Sequence, residues 1–386
     1  MPAGLSSEAA MDEPSKAEQD ATIPSPTNRR RAVIGNASNF WLHSSKHGFD
    51  LTHPPHPSSP PSSPRLRLAT TTTPITISPA KTALVVIDMQ NFFLSEAFGR
   101  NRGKGHDACD RLVEFAVPAA RRAGIQVVWL NWGLDDQDIR DMPPAVKRAF
   151  GFEAIVEDEE DADADADATA AAAAAVVFAD GDDGDAAPPV DERTGEHDAF
   201  AMQPGGVGVD KMGELVHRGG KEMLENGKDA RIYKGLGSPC GTVTLPSGGT
   251  VDAGRLLVKD AWNAALYPPL EELYLEGKML ERKPDVWIHK DRMSGLWRDS
   301  TPCIEFLEKE GIRTLLFAGV NTDQCVSGSL TDAFCKGYDC VLLKDGCGTT
   351  SPEFAREGVE FNAARTWGFV SGCEELAKGV EEMQSK

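Results

Sequence analysis

Residues 83–88 read Ala83-Leu84-Val85-Val86-Ile87-Asp88, five apolar residues without a break and then a carboxylate. So short an apolar run, with no polar alternation, suits a strand covered on both faces, as in a parallel sheet. The same kind of run recurs at 125–130 (IQVVWL), 285–289 (DVWIH), 313–319 (RTLLFAG), 339–343 (DCVLL) and 368–370. Helical patterns fill the intervals at 107–123, 268–281, 301–310, 322–336 and 352–366, and a terminal helix follows. Gly124, Gly311 and Gly337 stop three of them. Strands alternating with helices predict an α/β fold of three layers, α-β-α, around a mainly parallel sheet of about six strands.

Outside this frame the composition changes. Residues 1–79 are rich in proline and serine, with 12 of the 25 prolines before residue 81. Such a segment cannot bury enough apolar area to offset its chain entropy and is expected to be a mostly disordered tail. The aromatic stretch Phe40-Trp41 through Phe49 is the exception, expected to dock on the folded domain, with a partner motif as the alternative. That domain is expected to span 80–383, interrupted at 154–206 by a low-complexity acidic and alanine-rich insertion. Between 231 and 259, Gly235, Gly237, Gly241 and Gly248-Gly249 separate short β-prone pieces and predict a hairpin excursion.

The chain has 386 residues and a formal charge of −20. Residues 157–186 hold 12 acidic residues and no basic ones, so much of that charge is local. A strongly acidic chain repels phosphate backbones and anionic membranes, which argues against nucleic acid and membrane as partners. No stretch reaches the length of a spanning helix, and the N-terminus has no apolar leader. The reading is cytoplasmic, with all eight cysteines reduced. None forms a CxxC pair, so the common zinc and thioredoxin-type spacings are absent. Cys335 and Cys340 read as core residues, and Cys347 as a loop residue near the crevice. No phosphate-binding glycine loop follows any strand.

In an open parallel sheet the ligand crevice lies at the carboxyl ends of the strands. Three reactive residues are expected there. Asp88 ends the first strand, Lys290 follows the 285–289 strand, and Cys325 opens the helix after Gly319. Each alone has a bland reading, as a turn residue, a solvated lysine and a small buried hydrophobe. Together they make a nucleophile, a base and a cation. A helix N-terminus and a neighbouring lysine are expected to lower the thiol pKa. Free backbone N–H groups there would hold a developing oxyanion. His289, next to Lys290 along a strand, is expected to face away from the crevice.

The segments 83–93 (ALVVIDMQNFF) and 317–326 (FAGVNTDQCV) resemble the isochorismatase-like cysteine hydrolases. The resemblance covers about residues 80–380 apart from the insertion. It implies that Asp88, Lys290 and Cys325 are the catalytic triad. It also implies a cis Val320–Asn321 peptide and an oxyanion hole made by the backbone N–H groups of Asn321 and Cys325.

Within that superfamily the sequence looks most like ureidoacrylate amidohydrolases, on Lys290–Trp297 (KDRMSGLW), 129–133 (WLNWG), Ser351–Ala355 and Trp262. The candidate pocket residues are Phe93, Asn131, Trp132, Met293 and Trp297, with simple core packing the alternative for Phe93 and the two tryptophans. Met293 stands where a pocket tyrosine is expected and Leu134 where a tryptophan is expected. The metal-binding histidines of nicotinamidases have no counterpart, since no histidine lies between 107 and 196. No metal and no cofactor is expected.

The function implied is a cysteine-dependent hydrolase that cleaves a C–N bond of a small amide, carbamate or ureide through a thioester. Two rivals stay open: an isochorismate-type vinyl-ether hydrolase, and a non-catalytic binding protein on the same fold. The expected partner is a small-molecule substrate, and a homo-oligomer is compatible with the resemblance.

Overall fold

The computed structural model describes residues 29–60, 63–154, 207–213 and 234–385. Residues 1–28 and all but the first residue of the 154–206 insertion lie outside the described residues. The first described elements are five short strands: β1 (Arg31–Gly35), β2 (Phe40–Ser44), β3 (Gly48–Leu51), β4 (Leu66–Leu68) and β5 (Ile75–Ile77). They form one sheet in the order β1-β2-β3-β5-β4.

This sheet corrects the expectation of a disordered tail over the described part of 1–79. Proline-rich composition predicts disorder only for a segment that must build its own core. Here Leu51, Leu66, Leu68, Ile75 and Ile77 are completely buried in one apolar cluster with Leu376, Ala377 and Val380 of the C-terminal helix (Cys373–Gln384). The segment borrows the core of the domain it lies on. The expected docking of the aromatics is found, with the indole N–H of Trp41 donating to Asp339 Oδ1 at 2.7 Å.

The central sheet follows, with β6 (Thr82–Ile87) and β7 (Gln126–Trp132) first. A two-stranded stem, β8 (Phe152–Ala154) against β9 (Val207–Val209), flanks the insertion. The predicted excursion is a hairpin of β10 (Thr242–Thr244) and β11 (Thr250–Asp252). The sheet then resumes with β12 (Val286–Lys290), β13 (Thr314–Val320), β14 (Asp339–Gly348) and β15 (Phe369–Ser371). Its order is β12-β7-β6-β13-β14-β15, and every neighbouring pair is parallel.

The alternation of side chains explains the three layers. Ala83, Val85 and Ile87 join one core cluster with Ile304 and Leu307 of the Pro302–Lys309 helix and Leu330 and Ala333 of the Ser327–Cys335 helix. Leu84 and Val86 join the other with Leu112, Val117 and Leu270 from helical segments spanning Lys104–Ala123 and Pro268–Gly277. Both faces are covered, which is why the strands read as unbroken apolar runs. Cys340 is core as expected, whereas Cys335 is exposed.

The chain runs from β6 outward through β7 to β12, then returns to β13 on the other side of β6 and continues to β15. The direction of winding therefore reverses between β6 and β13. In parallel sheets the crevice outside such a reversal is where ligands bind.

Candidate active site

Asp88 follows β6 and Cys325 lies five residues past the end of β13, so they flank that reversal. Gly319 lets the two strands meet there. It adopts φ +117°, and a Cβ at that position would lie 2.0 Å from the carbonyl oxygen of Ile87. Asp88 itself sits at φ +54°, a left-handed conformation uncommon for a non-glycine residue.

The expected helix start at Thr322 is a π-helical turn, Thr322–Val326, before the regular helix Ser327–Cys335. The Val326 N–H reaches the Asn321 carbonyl at 3.2 Å, an i→i+5 bond. Cys325 is therefore inside a wide turn, not at the first position of a helix. The Val320–Asn321 peptide is cis.

Lys290 is the last residue of β12, in register with Trp132 of β7. Its Nζ is 3.0 Å from Asp88 Oδ2, donates to the carbonyl of Arg292 at 3.0 Å, and lies 3.6 Å from Cys325 Sγ. The same ammonium stands 4.0 Å over the Trp132 ring, a desolvated cation–π contact. Asp88 Oδ1 accepts the Trp132 backbone N–H at 3.0 Å. All three residues are buried: Asp88 at 0%, Lys290 at 4% and Cys325 at 4% exposure.

Burial raises the pKa of Asp88, against the opposing pull of Lys290 and the hydrogen bonds it accepts. Burial is also the first cause that pushes the Cys325 thiol up to about 12, with the Asp88 charge second and Lys290 working the other way. This reverses the expectation of a lowered thiol pKa. A thiol inside a turn and out of water gains less from dipoles and lysine than it loses by desolvation. Transfer of the thiol proton to an ionised Asp88 moves one negative charge from carboxylate to sulfur, so it creates no additional buried charge.

Of the expected pocket residues, Trp132 and Met293 are brought to the triad. Met293 Sδ lies 3.2 Å from Cys325 Sγ, so a thioether faces that thiol. Asn131 pairs in register with His289, and alternation puts it on the face of β7 opposite Trp132. It is fully buried, and its amide has no hydrogen-bond partner among the described residues. His289, turned away as expected, accepts the Trp287 indole N–H at 3.3 Å on Nδ1. Trp297 is 39% exposed, donates to Asp291 at 3.0 Å and has the Arg292 and Arg298 guanidinium groups over its ring. Phe93 is half-buried, 4.9 Å edge-on to Phe92. Cys347 packs its Sγ 3.7 Å from the Phe317 carbonyl.

Gln90, in the 83–93 segment but not among the expected pocket residues, packs against Trp132 beside Asp88. It is completely buried, and its amide nitrogen donates to the carbonyls of Trp132 at 2.8 Å and Ala264 at 2.6 Å. Its amide oxygen accepts the Trp132 N–H at 3.2 Å, which that group shares with Asp88. Gln90 thus fixes the strand end that carries the indole beneath Lys290. Its spacing was the available signal, since it lies two residues past Asp88 on the same exit from β6. Among the described residues, no group of three or more His, Cys, Asp or Glu side chains is arranged to hold a metal ion.

Residues 245–368 match a family model described as the isochorismatase domain. That stretch includes Lys290 and Cys325 and excludes Asp88. The chain is similar to several solved structures. One is a cysteine hydrolase from Pseudomonas syringae pv. phaseolicola, at 13% identity and TM-score 0.41, covering 83% of this chain and 100% of that one. A nicotinamidase from Bacillus subtilis shows 16% identity and TM-score 0.40, over 75% of this chain and 99% of its own. An isochorismatase family protein from Desulfovibrio vulgaris shows 14% identity and TM-score 0.41, over 79% and 99%. Likenesses of that degree assign no activity to this chain.

Proposed function

We propose that this chain is a cysteine hydrolase that cleaves a C–N bond of a small amide, carbamate or ureide, a ureidoacrylate-like substrate among them. The observation that supports it is the buried contact of Asp88, Lys290 and Cys325 at the reversal point of the sheet. Three ionisable groups from distant parts of the chain, sealed from water, have no evident structural need for one another.

In this reading Cys325 Sγ attacks the carbonyl carbon while its proton passes to Asp88. The oxygen of the tetrahedral adduct accepts from the backbone N–H groups of Asn321 and Cys325. Collapse breaks the C–N bond, and Asp88 returns the proton to the departing amine. Water then gives a proton to Asp88 and adds to the thioester. The second collapse releases the acid and restores the thiol with the proton held by Asp88. Lys290, in contact with both Asp88 and Cys325, stands beside whichever of the two is anionic. Met293 offers no hydroxyl beside the nucleophile, so the substrate atom against it needs no donor there.

The test is amine release from ureidoacrylate, simple carbamates, nicotinamide and small aliphatic amides, with Cys325→Ala alongside. Release by the wild type that disappears in the variant is the expected result. Release that persists in Cys325→Ala overturns the mechanism. Pyruvate formed from isochorismate, with no amine released from any of the amides, points to the ether-cleaving rival.

A further inference from the structure

We propose that the outer face of the β1–β5 sheet binds a small organic dianion with acid groups at its two ends. The register places Val33, Leu42, Asp50, Thr76 and Arg67 in one row across all five strands. Alternation puts Arg31 and Arg65, each two residues from a member of that row, on the same face. The opposite face is the one buried on the domain through Leu66, Leu68, Ile75 and Ile77.

A cavity of about 830 Å³ lies over the outer face, lined by these seven residues among others. That volume is within the range of small-molecule sites, about 300–1,000 Å³. Arg31 and Arg67 stand on opposite edge strands, four strand spacings or roughly 19 Å apart, yet both line this one cavity. They therefore reach over the sheet from its two sides.

Three arginines against Asp50 leave a formal charge of +2 on a chain whose total is −20. Arg65 gives one terminal nitrogen to Asp50, and its buried Nε has no partner. Arg31 and Arg67 have no carboxylate within ion-pair reach among the described residues. Guanidinium groups without partners are suited to carboxylate or phosphate oxygens, which they bind in bidentate fashion. The floor includes Leu42, between the two edge strands, and Val33, which is 57% exposed, beside Arg31 on β1; both suit a hydrocarbon body. Asp50, midway along the row, repels a third acid group and so disfavours an acidic polypeptide. A dianion charged at its ends matches this pattern.

The experiment is calorimetric titration of the full-length chain with suberate, beside octanoate and the neutral octanediamide. Wild type is expected to bind suberate at least tenfold more tightly than octanoate and to leave the diamide unbound. Affinity is expected to fall with added salt. Arg31→Ala and Arg67→Ala are each expected to weaken suberate at least tenfold while melting unchanged without ligand. No binding by the wild type overturns the proposal. So does binding that survives the Arg31→Ala, Arg67→Ala double variant, which would place the anion elsewhere. A wild-type dimer that these substitutions dissociate also overturns it, because the face would then be occupied by a second copy.

Discussion

The two ends of the central sheet both bury carboxylates, and they treat them in opposite ways. At the end where the strands begin, Asp285 has a side chain with no exposure. It accepts from Arg121 at 3.2 and 2.6 Å and from the Trp129 indole at 2.9 Å. Asp339, on the first residue of β14, accepts from Trp41 at 2.7 Å and Thr314 at 3.0 Å and contacts His53 at 2.6 Å. Every oxygen of both is engaged. At the end where the strands finish, Asp88 Oδ1 takes a backbone N–H, while Oδ2 faces Lys290 without an aligned hydrogen bond. A fully engaged buried carboxylate holds elements together. One left partly open can take a proton.

The largest effect that tests this contrast is on turnover. Cys325→Ala and Asp88→Asn are each expected to lower kcat/KM by about 10³-fold or more, since in the proposed mechanism each removes a group that handles the same proton. Substitutions at Asp285 and Asp339 are expected to leave kcat/KM unchanged wherever the protein stays folded. A comparable loss at Asp285 would erase the distinction between the two ends.

Stability is expected to respond in the reverse order. Asp285→Ala leaves Arg121, whose side chain is 15% exposed, without its partner. Removing one member of a buried pair costs about 3–5 kcal/mol. Urea unfolding should show that loss, and a change below about 1 kcal/mol would show that Arg121 finds water instead.

Asp339 joins the central sheet to the N-terminal strands. Asp339→Ala orphans the Trp41 and Thr314 donors together and is expected to cost about 1–3 kcal/mol. Its particular sign would be faster proteolysis within residues 29–77, because the lost bonds tie that segment down. Asp339→Asn, which keeps an acceptor for Trp41, is expected to lose less.

One side of this contrast was legible in the sequence, and the reasons are local. Asp88, Lys290 and Cys325 were found because each closes or follows an apolar run, and parallel strands collect such positions at one end. Asp285 and Asp339 precede or open equally clear runs, yet their partners Arg121 and Trp41 are more than 150 residues away in sequence. No periodicity reports such pairs. The N-terminal sheet was missed for a related reason. Leu66-Arg67-Leu68 and Ile75-Thr76-Ile77 are too short to predict strands on their own, and what holds them is the surface of another part of the chain. The structure sets Cys325 beside Lys290, but its proton affinity runs opposite to the expectation, because desolvation depends on enclosure that a motif does not encode.

The smallest and most discriminating effect is on pH dependence. Burial holds the folded-state pKa of Asp88 above its ordinary 3.8. In the proposed mechanism Asp88 must be ionised to accept the thiol proton, so kcat/KM is expected to fall with acid through a pKa above 3.8. No loss from Cys325 ionisation is expected through pH 9, because the thiol stays protonated up to about 12. The same shift fixes a sign for stability. A carboxyl whose folded pKa is raised favours the folded state below its unfolded pKa, and that contribution disappears as the pH rises through the folded value. The stability of wild type relative to Asp88→Asn should therefore decrease as the pH rises from 3 through the activity limb, and both curves should turn at the same pH. An acid limb at or below 3.8 would mean that Lys290 outweighs burial. Asp88 would then resemble the engaged carboxylates at the other end of the sheet, and the base for Cys325 would have to be sought elsewhere.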